Sequence, residues 1–277
     1  MKKWSAKLTR PYIITPSELD HKYSRGTLGV ITGSARYPGA AVLSTSAALA
    51  TGLGVLRFHS NSGLAHLVLH AAPEALVQPG KVDAWLLGSG IERNKYSDFT
   101  TWLRHRWFAL AERQSVPTLL DAGAMGLAGK LQQPTLITPH AGELAKLLTA
   151  RGERVTAEAI EGNPQKWATE ASEKLGVTVL LKGSTTYVAD GDALISLPVA
   201  TPLLATAGSG DVLAGIIGAL MATNYIEILN DASVLAEVAA SGAFIHARAA
   251  ELASEGAPIA ASDIVRNVAK SIRSITK

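Results

Sequence analysis

Glycine, serine and a carboxylate come together at Thr206-Ala207-Gly208-Ser209-Gly210-Asp211, which runs straight into the apolar stretch Val212-Leu213-Ala214-Gly215-Ile216-Ile217. Glycines let successive backbone N–H groups converge, and a helix start adds partial positive charge. Ala207, Gly208, Ser209 and Gly210 are therefore suited to form a hole for an anion such as a phosphoryl group in transfer. Asp211 would then stand where a carboxylate can take the proton of an attacking hydroxyl. An equally economical reading makes Asp211 the N-cap of a core helix. The chain has no G-x-x-x-x-G-K-[ST] loop, and Leu213 occupies the place of the third glycine of G-x-G-x-x-G, so nucleotide chemistry here needs another architecture.

A second chemical segment is Lys182-Gly183-Ser184-Thr185-Thr186, which offers phosphates a cation, exposed backbone and hydroxyls; the plainer reading of Lys182 is a strand-end cation. His140, after Thr138-Pro139, reads as a substrate contact in preference to a satisfied loop histidine. His66, His70 and Glu74 are spaced like metal ligands on one helix face, but Pro73 breaks the helix before Glu74 and no further ligand follows, so no metal site is expected. His246 reads as a packing or solvated mid-helix residue. Trp102 and Trp107 among Arg104, His105 and Arg106 have the makings of a base-stacking face, yet a solvated amphipathic helix explains them more simply.

These residues need elements that bring them to one edge. Gly26 to Ser34, Val55 to His59, Asp83 to Ser89, Pro117 to Ala122, Thr135 to Thr138 and Val177 to Leu181 read as buried strands. Helical stretches alternate with them: Ala40 to Ala50, Gly63 to Ala72, Tyr96 to Arg113, Gly142 to Arg151 and Pro164 to Leu175. The alternation predicts an α/β fold with a mostly parallel sheet covered on both faces. Thr185 to Ala189 and Ala193 to Leu197, joined by Asp190-Gly191-Asp192, predict a hairpin as the one antiparallel interruption. The last third reads as helices over Asp211 to Thr223, Asp231 to Ser254 and from Ser262 onward, with Arg151 to Pro164 a polar surface excursion. Ligands of such sheets bind at the strands' carboxyl ends, where Gly33-Ser34, Gly88-Ser89-Gly90, Asp121-Ala122, Thr138-Pro139-His140 and Lys182 fall.

Composition narrows the partners. The 26 Lys and Arg against 23 Asp and Glu give a net charge of +3, too small and dispersed to argue for nucleic acid. There is no cysteine, which excludes disulfides and thiolate chemistry and fits a cytoplasmic location. No apolar stretch follows the basic start as in a signal peptide, and Val212 to Ala222 is too short to cross a bilayer, so no membrane association is expected. Residues 1–277 are expected to form one domain.

The Gly-Ser-Gly-Asp turn entering a small-residue helix resembles the anion-hole motif of the ribokinase-like superfamily. Ile137-Thr138-Pro139-His140-Ala141-Gly142-Glu143 is similar to the T-P-H-P-G-E segment of that superfamily's ADP/ATP-dependent NAD(P)H-hydrate dehydratases. Leu181 to Thr186 resembles their nucleotide-site K-G segment, and Val30 to Leu43 their opening G-G-S…G-A-A stretch. These segments span residues 26 to 215 in the family's order. Departures stand at Gly88-Ser89-Gly90-Ile91-Glu92 for G-P-G-L-G, at Asp121-Ala122-Gly123-Ala124-Met125 for D-A-D-A-L, and at Ala141 for proline.

The resemblance implies a three-layer α/β/α sandwich and a lyase that repairs a damaged nicotinamide cofactor. The terminal phosphoryl group of ADP or ATP, with Mg2+, passes to the C6 hydroxyl of the S-epimer of NADH or NADPH hydrate, and loss of phosphate regenerates the reduced ring. It implies Asp211 as base, Ala207 to Gly210 as anion hole, Lys182 to Thr186 with Gly210 at the nucleotide, and Ala40, Gly90, His140 and Asp211 at the hydrate. A separate epimerase would be the functional partner, and the expected assembly is a homo-oligomer, a tetramer. Two alternatives stay open: a kinase of the same fold acting on a vitamin-precursor alcohol such as hydroxyethylthiazole, and a non-catalytic nucleotide-binding module.

Overall fold

Short runs rich in Leu, Val and Ile, apolar at consecutive positions, can be strands only if both of their faces are covered. The computed structural model, which describes residues 1–277, satisfies that demand with one sheet. Its strands are β1 (Lys2–Lys3), β2 (Thr27–Ile31), β3 (Val55–Phe58), β4 (Ala84–Leu87), β5 (Thr118–Leu120), β6 (Thr135–Ile137), β7 (Thr178–Leu181), β8 (Tyr187–Asp190) and β9 (Ala193–Ser196). Their order is β1-β9-β8-β7-β6-β5-β4-β2-β3. Only β8 runs antiparallel to its neighbours, and the β8–β9 hairpin turns at Gly191, whose φ of 52° lies in the left-handed region.

The helices are α1 (Ala6–Thr9), α2 (Pro38–Thr51), α3 (Ser62–Ala71), α4 (Phe99–Trp107), α5 (Ala109–Arg113) and α6 (Ala141–Thr149), followed by α7 (Ala157–Gly162), α8 (Pro164–Leu175), α9 (Ser209–Thr223), α10 (Tyr225–Asn230), α11 (Val234–Ser254) and α12 (Ala261–Thr276). Strand alternation divides the core in two. Leu28, Val30, Leu86, Leu119, Leu136 and Leu180 pack with α2, α9, α11 and α12 on one side. Ile31, Trp85, Leu87, Leu120, Ile137 and Val179 pack with α6 and α8 on the other. Where α2 crosses α9, a Cβ on Gly215 would come within 2.3 Å of the Ser44 carbonyl oxygen, so the small residues of Ala40 to Ala50 serve internal helix packing.

Several expectations need correction. The Tyr96 to Arg113 helix is two helices, α4 and α5, and the solvated face expected there includes exposed Arg106 but not Arg104, which is only 1% exposed. The Arg151 to Pro164 excursion contains α7, capped by Thr156 Oγ1 and anchored by buried Ile160. The Asp231 to Ser254 helix starts at Val234 after the separate α10, and the polar start of the chain contributes β1 and the buried Trp4. No helix is long and apolar enough to cross a membrane.

The register fixes the working edge. Ile31 pairs with Leu87, Leu87 with Leu120, and Leu120 with Ile137, so the residues after β2, β4, β5 and β6 stand side by side. The next strand extends that row through an isolated bridge between His140 and Lys182. Chain order reverses between β4 and β2, the position at which open α/β sheets leave a crevice.

Candidate active site

Helix α9 begins at Ser209 with Gly208 as its N-cap, at φ 88°, so Asp211 lies in the first turn and makes no cap hydrogen bond. The N-cap reading of Asp211 is thereby excluded. Gly208 is glycine for a local reason: besides its left-handed φ, a Cβ there would meet Leu43 Cδ1 at 2.5 Å. Ser209 is buried, and its Oγ is 3.3 Å from Nε2 of His246, which is itself buried in α11 and not solvated. Burial holds the His246 imidazole down at about 4, with the Lys182 charge acting in the same direction, so it is neutral beneath the turn at physiological pH.

Asp211 faces a cavity of about 520 Å³ that also touches Tyr37, Ala40, Gly90, Ala122 and Gly208, with Ala207 on its rim. The amino ends of two long helices, α2 at Pro38 and α9 at Ser209, meet there and favour an anionic guest. Gly90, at φ 65°, has no room for a side chain, since a Cβ would stand 2.3 Å from that of Ala40. Ala122 holds a φ of 41°, an uncommon conformation for a residue with a side chain, directly on the cavity wall. Gly123 replaces the aspartate of the resembled motif because a Cβ there would lie 2.3 Å from the Ile91 carbonyl oxygen.

A charged cluster that sequence reasoning did not assemble lies at the ends of β5, β6 and β7. Asp121, buried to 6% of its side chain, accepts hydrogen bonds from Ser89 Oγ at 2.9 Å and Thr138 Oγ1 at 2.8 Å. Lys182 Nζ lies 3.6 Å from Asp121 Oδ1 and 3.6 Å from Glu143 Oε2. Burial opposes the ammonium charge, but Asp121, Glu143 and Asp211 outweigh it and raise the Lys182 pKa. Asp211 is pushed from 3.8 to about 7 by burial first and the Asp121 charge second, against the pull of Lys182. A carboxyl poised near neutrality beside a cation and an anion-binding turn suits proton transfer from a hydroxyl. Ser89, which departs from the family proline, has a role here as a donor to Asp121.

A second cavity, of about 540 Å³, is lined by Lys182, Gly183, Ser184 and Thr185 together with His140 and Tyr187. Gly210 stands beside Lys182, since a Cβ on it would be 3.5 Å from Nζ. Thr186 does not line this cavity; its carbonyl accepts from Leu197 N–H in the hairpin. His140 was grouped with Gly90, but the structure sets it in the second cavity, where its Nδ1 accepts from Gly142 N–H at 3.1 Å and caps α6. Glu143 completes the capping box by accepting from His140 N–H at 3.0 Å. His66 and His70 lie on α3 and join no cluster of three or more His, Asp or Glu side chains.

Residues 28–270 match the sequence model of the family described as NAD(P)H-hydrate dehydratase. The chain is 32% identical over 280 residues to the ADP-dependent (S)-NAD(P)H-hydrate dehydratase of Neisseria meningitidis, covering 93% of this chain and 87% of that one. It is 39% identical over 224 residues to the bifunctional NAD(P)H-hydrate repair enzyme Nnr of Mycobacterium tuberculosis, where the match covers 75% of this chain but 43% of the relative. The chain thus spans less than half the length of the bifunctional relatives it matches. Its fold is that of the ADP/ATP-dependent NAD(P)H-hydrate dehydratase of Bacillus subtilis, co-crystallized with ATP/Mg2+, with a TM-score of 0.83 at 22% identity, covering 99% of this chain and 98% of that one. By the family match over residues 28–270 and the Neisseria meningitidis relative, the chain belongs to the NAD(P)H-hydrate dehydratase family.

Proposed function

We propose that this chain, acting as one domain over residues 1–277, dehydrates the S-epimer of NADH or NADPH hydrate at the expense of ADP or ATP. The observation that carries the proposal is Asp211, poised near neutrality at the mouth of a glycine turn and opposed by Lys182. Asp211 takes the proton of the C6 hydroxyl as its oxygen bonds to the terminal phosphorus and the nucleotide's bridging P–O bond breaks. The backbone of Ala207 to Gly210 receives the charge that develops on the phosphoryl oxygens. Phosphate then leaves C6 and a proton leaves C5, which restores the ring double bond.

Lys182, Gly183, Ser184, Thr185, Thr186 and Gly210 serve the nucleotide, and Ala40, Gly90 and His140 border the hydrate with Asp211. The lining of one cavity by Lys182, Gly183, Ser184 and Thr185 and of another by Ala40, Gly90 and Asp211 supports this division, with His140 taken to reach the hydrate from the nucleotide side. Magnesium bound to the nucleotide phosphates would supply charge neutralisation there, and Asp121 and Glu143, beside Lys182, are the carboxylates that would face it.

A separate epimerase would supply the S-epimer, a reading supported by the bifunctional repair-enzyme name of the Mycobacterium tuberculosis relative. Exposed Leu67, Leu76 and Val77 offer apolar surface for assembly as a homotetramer, and we place the enzyme in the cytoplasm with its substrates. Purified protein given Mg2+, ADP or ATP, and NADH hydrate should restore NADH absorbance and release one phosphate per turnover. Accumulation of a stable phosphorylated alcohol without NADH would identify a kinase, and nucleotide binding without turnover a binding module.

A further inference from the structure

Arg104 is a buried cation that the reaction as described does not use. It lies on α4 and is 1% exposed, and no carboxylate stands within ion-pair distance of it. Its partners are main-chain oxygens: Nε donates to the Gly33 carbonyl at 3.1 Å, Nη1 to the His59 carbonyl at 2.5 Å, and Nη2 to the Thr32 carbonyl. The guanidinium also lies 5.7 Å from the Phe58 ring centre and 5.3 Å from that of Trp107. Burial lowers its pKa, but only to about 10, so the charge persists at neutral pH.

The carbonyls it gathers follow β2 and β3, and those of Thr32 and Gly33 begin the turn that leads to the cavity. Gly33 N–H donates to the Ser89 carbonyl at 2.7 Å, which joins that turn to the one carrying Gly90. A Cβ on Gly90 would lie 3.3 Å from Gly33 Cα and 3.0 Å from the Tyr37 carbonyl oxygen, so the two turns touch at the start of α2. From the next position on α4, His105 Nε2 lies 2.8 Å from the carbonyl oxygen of Glu92, just beyond Gly90. Arg36, which lines the cavity, pairs with Glu92 at 2.7 Å and joins the two turns again. One helix therefore holds both backbone walls of the Ala40–Gly90 cavity from behind.

We infer that Arg104 is a positioning residue for the hydrate: its planar fork fixes the Thr32–Ala40 turn against the Gly88–Glu92 turn, and His105 steadies the second of these. This rests on the assignment of that cavity to the hydrate. Lysine cannot replace it, because one ammonium on a flexible stem cannot serve three divergent carbonyls as a planar fork does.

The test is R104K alongside H105A, each as the full chain with Mg2+ and ADP. R104K should raise the KM for NADH hydrate on the order of tenfold to a hundredfold, as expected for loss of a substrate-positioning wall, while the nucleotide KM stays within about twofold. H105A, which removes an outer brace, should shift the hydrate KM the same way by about two- to fivefold. Backbone hydrogen exchange should speed up at residues 33–41 and 89–92 in R104K, and stay unchanged at Gly183 to Thr186. Equal losses for both substrates, or uniform acceleration of exchange, would assign Arg104 to general stability and overturn the inference. If R104K does not fold, an unchanged hydrate KM and unchanged exchange at 89–92 in H105A overturn it. If the wild-type protein fails to turn over the hydrate, the functional reading falls, while hydrogen exchange still decides whether Arg104 holds the two turns.

Discussion

Asp211→Asn should make the protein far less active and more stable at the same time. The carboxyl, ordinarily at 3.8, is held at about 7 in the folded chain by burial and by Asp121. Below pH of about 4 it is neutral folded or unfolded and costs nothing. From there to about 7 the unfolded chain is ionised and the folded one is not, so stability falls as pH rises, and the loss is complete above 7. The full displacement corresponds to about 4 kcal/mol, which is a ceiling. Asp211 still lines a solvent-open cavity, so screening should leave about 1–2 kcal/mol. Asparagine removes the ionisation, so the variant should melt roughly 3–6 °C above wild type at pH 8, with the difference shrinking toward pH 5. Its kcat should fall by about 10²–10⁴ with nucleotide affinity intact, because one positioned base is gone. Wild-type kcat should itself fall about tenfold per pH unit below 7. Paired thermal melts and stopped-time NADH recovery across pH 5–8 read all of these. A variant that keeps wild-type kcat, or one whose melting difference is the same at pH 5 and 8, would refute the assignment of Asp211 as the base with a raised pKa.

Lys182→Met leaves buried Asp121 without its cation and should raise the nucleotide KM at least about tenfold while costing about 1–3 kcal/mol of stability, read by kinetics and denaturant melts. Gly90→Ala forces a Cβ to 2.3 Å from Ala40 at a φ of 65°, so the hydrate kcat/KM should drop while nucleotide binding, followed by calorimetry, is kept; an unaffected hydrate KM would remove Gly90 from the cavity wall. His140→Ala should raise the hydrate KM more than the nucleotide KM and cost about 1 kcal/mol as a lost helix cap; a change confined to the nucleotide would give His140 wholly to the second cavity.

The parts of this site legible in the sequence are those whose chemistry is local. A glycine turn entering a helix announces anion binding within six residues, and Lys182-Gly183 does the same at a strand end, because backbone conformation and helix start are set by neighbours in the chain. Asp121 is different. Its two hydroxyl donors and its cation come from three other strand ends, and they meet only because Leu87, Leu120 and Ile137 share a register, which no single segment encodes. The register also contributes to Asp211 as a near-neutral acid, since the Asp121 charge adds to the burial that raises it first. Arg104 was hidden by its own residue type: an arginine among tryptophans and histidine reads as surface, and only the unpaired carbonyls at the ends of β2 and β3, remote in sequence, make its burial favourable. The polar segment before Pro164 concealed α7 in the opposite way, because its single buried anchor, Ile160, is too little for a periodic signal and its Thr156 cap was the one available cue. Residues that act through a neighbour in sequence can thus be found by motif, whereas those that set a pKa or hold a turn depend on which strand ends the sheet places together.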